Sequence, residues 1–232
     1  NEIQLGRGET IADTARVLSR YVNGIMIRTF SHQEVIELAK NATIPVINGL
    51  TDFSHPCQVI SDLLTIKDKK KVLNGLVVAY IGDGNNVCNS WLFAAPKMGM
   101  HLKIASPKEY MPDNSVVEKA KSIAQNTKTQ IIITETPEEA VKDADVIYTD
   151  VWTSMGQEEE AERRKNIFKN YQINSALLQH AKKDVIVMHC LPAHRGEEIT
   201  DEVMDGPNSV VFDQAENRLH AQKGILALLM SK

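Results

Sequence analysis

Short aliphatic runs recur along the chain, each followed by a stretch of helical periodicity, and this alternation limits the possible folds more than any other feature. GIMIRT, IPVINGL, LVVAYIG, HLKIAS, QIIITET, DVIYTDV and DVIVMHC read as strands buried on both faces, because they are near-continuously apolar rather than alternating. ETIADTARVLSRY places Ile11, Ala15, Leu18 and Val22 at helical spacing, with Thr10 and Asp13 as a capping box in which Asp replaces Glu. SHQEVIELAKNA has Ser31 and Glu34 at the same spacing, and HPCQVISDLLTIKDKK suits a long helix opened by Pro56. Helices are also expected over NNVCNSWLFAAPKMG, with a kink or early end at Pro96, and over SVVEKAKSIAQNT, PEEAVKDA, NSALLQHAKK and TDEVMDG. A last strand, SVVF, precedes a terminal helix that starts at about ENRLHAQK. Such alternation predicts an α/β fold of doubly wound parallel sheets. A domain boundary is expected near Lys67 to Gly75, where KDKKKVLNG turns polar, carried by a helix rather than a flexible linker.

The totals exclude several classes of function. A formal charge of -4 supplies no global basic field for nucleic acid, and no apolar run approaches the roughly 18 residues of a membrane span. Cys57, Cys88 and Cys190 are far apart and odd in number, which argues against a disulfide framework or structural zinc and suits a reducing cytoplasm. The opening NEIQLGRGET reads as an entry in mid-protein.

Several polar residues fall where predicted strands stop, the edge at which open α/β sheets bind ligands. Arg28 ends GIMIRT, where a guanidinium fork presents itself to an anion or serves a surface salt bridge. His55 and Gln58 flank a helix start; an imidazole and an amide there suit a carbonyl or phosphate oxygen, or simple capping. YIGDGNNV invites a dinucleotide reading, but Val87 stands where the third glycine belongs, and HLKIAS ends in Ser106 rather than an acidic ribose ligand. What remains is a tight turn with Asn85 and Asn86 at a helix N-terminus, fit for a carboxylate or a plain cap. Asp150 could hold an ammonium, ahead of Ser154 and Met155 in a loop whose acid-then-base run reads as a solvated face. Arg218, in the first turn of the expected last helix, opposes the helix dipole and so requires an anionic partner. Cys190 follows DVIVM either as a small buried hydrophobe or as a group facing substrate. His189 beside it is poor geometry for two metal ligands and reads as packing, and no metal or cofactor is expected.

With these residues in view the whole chain resembles the ornithine carbamoyltransferases. MHCLPAHRGEEIT resembles their HCLP signature, DVWTSMGQEEE their SMG loop and DFSHPCQ their HPxQ motif, while GRGETIADTARVLSRY resembles the segment before their Arg-bearing strand. The resemblance implies two Rossmann-like domains: a carbamoyl-phosphate domain over 1–68, N-terminally incomplete, and an ornithine domain over 69–214. A C-terminal helix over 215–232 returns to the first. It assigns carbamoyl phosphate to Arg28, His55, Gln58, Cys190, Leu191 and Arg218, with Gln4 reaching a neighbouring subunit's site in a homotrimer. It assigns ornithine to Asn86, Asp150, Ser154 and Met155, and catalysis to Cys190, Asp150, His55 and Arg28.

The family's phosphate-gripping Ser-x-Arg-Thr-Arg motif lies, in the family, before the position of Asn1, and is absent here. The resemblance therefore implies a first domain that binds carbamoyl phosphate poorly and leaves apolar surface uncovered. It implies acyl transfer without a covalent intermediate, in which the neutral δ-amine of L-ornithine attacks the carbamoyl carbon and phosphate leaves. Two rivals stand beside it: a non-catalytic ornithine-binding fragment and a nucleotide-binding Rossmann protein.

Overall fold

The apolar runs do pair in parallel in a computed structural model of the protein, which describes residues 8–153 and 158–231. The first part comprises α1 (Ile11–Leu18), β1 (Ile25–Arg28), α2 (His32–Asn41), β2 (Val46–Leu50) and α3 (Pro56–Lys70), with β1 and β2 forming a two-stranded parallel sheet. The second runs through β3 (Val77–Ile81), α4 (Asn86–Lys97), β4 (His101–Ala105), α5 (Asn114–Thr127), β5 (Ile131–Thr134), α6 (Pro137–Val141) and β6 (Val146–Thr149). It continues with α7 (Ala161–Phe168), α8 (Ser175–Leu178), β7 (Ile186–His189), α9 (Asp201–Met204) and α10 (Val211–Met230). Its five strands are parallel in the order β5-β4-β3-β6-β7. The chain winds outward from β3 through β5, then crosses back to place β6 on the other side of β3. That reversal opens a crevice at the carboxyl ends of β3 and β6.

Period-two alternation divides the strand side chains between two cores. Val78, Tyr80, Tyr148 and Met188 face Trp91 and Leu92 of α4 and Ile66 of α3. Ala79, Ile81, Ile147 and Val187 face Val141, Phe168, Ile173 and Val211. Both faces of the sheet are thus covered, as the apolar runs require. The two-stranded sheet is different: its residues are half-buried or exposed, and Met26 is 66% exposed, as is Phe30 just beyond β1.

Local chemistry accounts for most boundaries. Thr10 Oγ1 accepts the Asp13 N–H at 3.1 Å and caps α1, as its spacing predicts. The second predicted capping box does not form, because Glu34 accepts from Thr29 Oγ1 at 2.6 Å instead and Ser31 makes no side-chain cap. Pro56 occupies the first turn of α3, and Lys71 ends that helix at φ 66°. Pro96 falls in the last turn of α4, which stops one residue later. The loop from Lys71 to Leu76 follows α3, and α10 packs along α3, where Asn217 Nδ2 donates to Thr65 Oγ1 at 3.0 Å.

Two expectations are corrected. SVVF is not a strand: Ser209 makes an isolated bridge to Val187 and α10 begins at Val211. A four-residue apolar run has no period of its own, and burial of Val210 and Val211 satisfies it equally well from a first helical turn with Asp213 at the positive end. Arg218 consequently lies two turns inside α10 rather than in its first turn, so a helix-end dipole does not explain its need for a partner.

Candidate active site

β1 delivers Arg28 and the turn after β2 delivers His55, the residue before α3, to the wall of a cavity of about 310 Å³. Arg218, Gln222 and Cys57 complete its polar side, while Met26, Ile47, Ile225 and Leu226 make its apolar side. His55 is buried, its backbone N–H donates to Ser90 Oγ at 2.8 Å, and its ring Nδ1 has no hydrogen-bond partner among the described residues. Burial, followed by the positive charges of Arg218 and Arg28, lowers its pKa to about 4. The ring is therefore neutral at pH 7, with a polar nitrogen to offer.

This gives a signed prediction. The unfolded chain binds a proton at His55 below about 6.5 and the folded one only below about 4, so this group's contribution to stability rises with pH across that window. Acidification from pH 6.5 to 4 should cost about 3 kcal/mol through His55. Asp62 works in the opposite sense: burial raises its pKa to about 7, so its contribution falls as pH rises from 3.8 to 7. Denaturant melts of wild type and His55→Gln at pH 4.5 and 6.5 isolate the His55 part; parallel pH dependences in the two proteins contradict it.

Arg218 is held by amides. Its Nη1 donates to Gln58 Oε1, and the Gln222 oxygen, turned toward it, accepts from Nη2 at 2.8 Å and Nε at 2.9 Å. Neutral partners orient the guanidinium without cancelling its charge. Gln58 is buried behind the cavity wall with its other end donating to Asp62 Oδ1 at 2.8 Å. Gln58, which the family resemblance puts at carbamoyl phosphate, holds Arg218 in this arrangement.

A second cluster forms at the crevice between β3 and β6. Asp150, just past β6, accepts at Oδ1 from the Cys190 thiol at 2.8 Å and from Val151 N–H at 2.8 Å, and at Oδ2 from Asn85 Nδ2 at 2.7 Å. Asn85 also caps α4, its Oδ1 accepting from Val87 and Cys88 N–H and from Tyr80 OH. Asn86 turns the other way, donating to the Thr51 carbonyl at 2.6 Å. Its backbone carbonyl accepts from Ser90 Oγ, the atom that receives the His55 N–H, so the cavity wall and the crevice cluster adjoin. Packing requires the glycine at position 84, where a Cβ would collide with the backbone of Met111 and Pro112, and Val87 is buried in the core.

Burial first, then the Asp150 carboxylate, pushes the Cys190 thiol well above its ordinary range. It is a protonated donor at neutral pH, giving its hydrogen bond to Asp150. The next peptide is shaped by His189. Leu191 N–H donates to His189 Nδ1 at 2.9 Å, so the ring proton sits on Nε2 and is given to Glu198 Oε1 at 2.9 Å. Glu198 also accepts from His194 N–H at 2.6 Å, and Leu191 stands at φ 56°, a sparsely populated conformation for a leucine. His189 therefore positions the loop rather than merely packing. Carboxylates of Glu197 and Glu198 lie near His194, but Glu197 already pairs with Lys165 at 2.9 Å.

Behind the crevice, Arg164 Nη1 reaches Asp83 Oδ2 at 2.7 Å and the Trp152 carbonyl at 2.9 Å, and its guanidinium lies over the Tyr110 ring at 4.4 Å. This pair ties the turn after β3 to the segment after Asp150. Gln4, Ser154 and Met155 lie outside the described residues. Ser90, Asp62, Gln214 and Glu198 are site residues that the sequence reading does not single out, and His189 is one that it takes as packing. Asp62, four residues after Gln58 on the buried face of a helix, was the one legible signal among them.

An α/β chain whose sheet reversal and strand ends converge in this way falls in a known class. The carbamoyl-phosphate-binding domain of the aspartate/ornithine carbamoyltransferases matches residues 1–68, and their Asp/Orn-binding domain matches residues 74–229, so the chain belongs to that family. Its relatives point to the ornithine branch. An ornithine carbamoyltransferase from Thermococcus kodakarensis is 59% identical over 229 residues, 99% of this chain and 73% of that protein. One from Oceanobacillus iheyensis is 60% identical over 99% of this chain and 71% of its own length. The ornithine carbamoyltransferase structure from Pyrococcus furiosus superposes with a TM-score of 0.95 at 58% identity, covering 99% of this chain and 73% of that one.

Proposed function

We propose that the protein transfers the carbamoyl group of carbamoyl phosphate to the δ-amine of L-ornithine, giving L-citrulline and inorganic phosphate. A bond forms between the amine nitrogen and the carbamoyl carbon, the bond from that carbon to the bridging phosphate oxygen breaks, and the nitrogen gives up a proton. The observation that carries this reading is the juxtaposition of a cationic cavity, lined by Arg28, His55 and Arg218, with the acidic Asp150–Cys190–Asn85 cluster. The first suits a dianionic donor and the second an amine acceptor.

Arg28 and Arg218 take the phosphate and neutralise charge as it leaves, and neutral His55 presents Nδ1 to the carbonyl oxygen. Cys190 and the Leu191 carbonyl face the carbamoyl group. Asp150 orients ornithine and is the candidate proton acceptor, with Asn86, Ser154 and Met155 on the amino-acid end. Bringing the two substrates together supplies much of the acceleration. Residues 1–68 form the donor domain, 69–214 the acceptor domain, and the last helix joins them. The working unit is a cytoplasmic homotrimer in which Gln4 reaches a neighbour's site. Among the described residues no helix is long and apolar enough to cross a membrane.

A colorimetric citrulline assay tests the reading. Formation should saturate in both substrates, and aspartate or putrescine in place of ornithine should give no product. Ornithine binding without citrulline would leave a non-catalytic ornithine-binding protein instead.

A further inference from the structure

Asp62 lies on α3 one turn beyond Gln58, with no exposed surface. Its Oδ1 accepts two side-chain amides, from Gln58 Nε2 and Gln214 Nε2, each at 2.8 Å. Gln58 continues to Arg218 through its carbonyl oxygen. Gln214 continues to the other side, its Oε1 accepting the backbone N–H of His189, the residue before Cys190, at 2.9 Å. One carboxyl thus stands at the junction of a hydrogen-bonded path from the cationic cavity to the loop that carries the thiol.

We propose that Asp62 is a positioning residue for the transfer reaction, fixing Gln58 and Gln214 together and through them Arg218 on the donor side and the His189–Cys190 backbone on the acceptor side. This rests on the assignment of Arg218 and Cys190 to the two substrates made above. Stability alone does not account for a carboxyl here. Desolvating it is expensive, its Oδ2 has no hydrogen-bond partner among the described residues, and an apolar side chain of similar volume fills such a site at no greater cost. Directionality is what a leucine cannot supply: Gln58 Nε2 would lose its acceptor, and Gln214 Nε2 would keep only the Tyr148 hydroxyl at 3.3 Å, so nothing would fix the two amides relative to each other. Burial also raises this carboxyl to about 7, so an uncharged asparagine is a close mimic of it.

The test uses the full chain with Asp62→Asn, Asp62→Leu, Gln58→Ala and the Gln58→Ala/Asp62→Leu pair. It reads the Kd of carbamoyl phosphate by titration calorimetry, which needs no turnover, and kcat by citrulline formation. Asp62→Asn keeps the acceptor oxygen and should stay within about twofold of wild type, whereas Asp62→Leu should weaken carbamoyl phosphate by about tenfold. The pair should bind no worse than Gln58→Ala alone, since residues acting through one path are not additive. Wild-type Kd and kcat in folded Asp62→Leu, or additive losses in the pair, overturn the proposal. An unchanged Kd in Gln58→Ala instead overturns the donor-site assignment, and this inference with it. If Asp62→Leu does not fold, Gln214→Met cuts only the acceptor-side arm; it should lower kcat at unchanged carbamoyl-phosphate Kd, and a wild-type kcat overturns the idea.

Discussion

Replacing Asp150 with alanine is expected to reduce kcat/KM for ornithine by about three orders of magnitude, the largest loss from any single change at this site. The carboxylate accepts the Cys190 thiol, Asn85 Nδ2 and the Val151 N–H together, so its removal strands three donors at once. It also removes the group proposed to hold the amine and take its proton. Cys190→Ala removes a single neutral donor and should cost closer to tenfold, chiefly in kcat with a rise in ornithine KM. Steady-state citrulline assays on both variants, with melting temperatures to confirm folding, check the order. A larger loss at Cys190 than at Asp150 contradicts the roles given to them.

The second large effect is on stability. Arg164→Met leaves Asp83 buried without its cation and the Trp152 carbonyl without its donor, where burial already pushes the Asp83 carboxyl upward and Arg164 holds it down. Breaking one partner of a buried pair costs about 3–5 kcal/mol. For a chain of this length that corresponds to a fall in Tm on the order of 10 °C. The pair Asp83→Leu/Arg164→Met should recover much of the loss, because it removes the stranded charge as well. A double variant as unstable as the single one assigns the cost to lost packing over Tyr110 instead.

The parts of the fold legible in the sequence were those written in local pattern. Near-continuous apolar runs place the seven strands of the described residues, and Thr10 with Asp13 fixes the start of α1. Where two structures satisfy the same local pattern, tertiary context decides. Ser31 and Glu34 have capping spacing, but Thr29 is the better-placed donor to Glu34. Val210 and Val211 have no periodicity of their own and join a helix. The site divides along the same line. Arg28, Asp150 and Cys190 are readable because a strand end is a local feature with a known geometric meaning. Gln214 is not, since it is separated by 152 positions from the Asp62 carboxyl it meets and sits in a helix whose start was misplaced. The neighbouring asparagines show the limit most clearly. Both stand at the start of α4, and only the folded turn sends the Asn85 amide N–H to Asp150 and the Asn86 amide N–H to the Thr51 carbonyl.

The central claim is that donor and acceptor meet where the cationic cavity adjoins the Asp150–Cys190 cluster. A crystal structure with carbamoyl phosphate and norvaline, an amino acid that lacks the reacting δ-amine, tests it most directly. The account predicts the phosphate against Arg28 and Arg218, the carbonyl oxygen near His55, and the end of the norvaline side chain directed at the carbamoyl carbon beside Asp150 and Cys190. Two ligands bound on separate faces, with the end of norvaline away from the carbamoyl group, would contradict it.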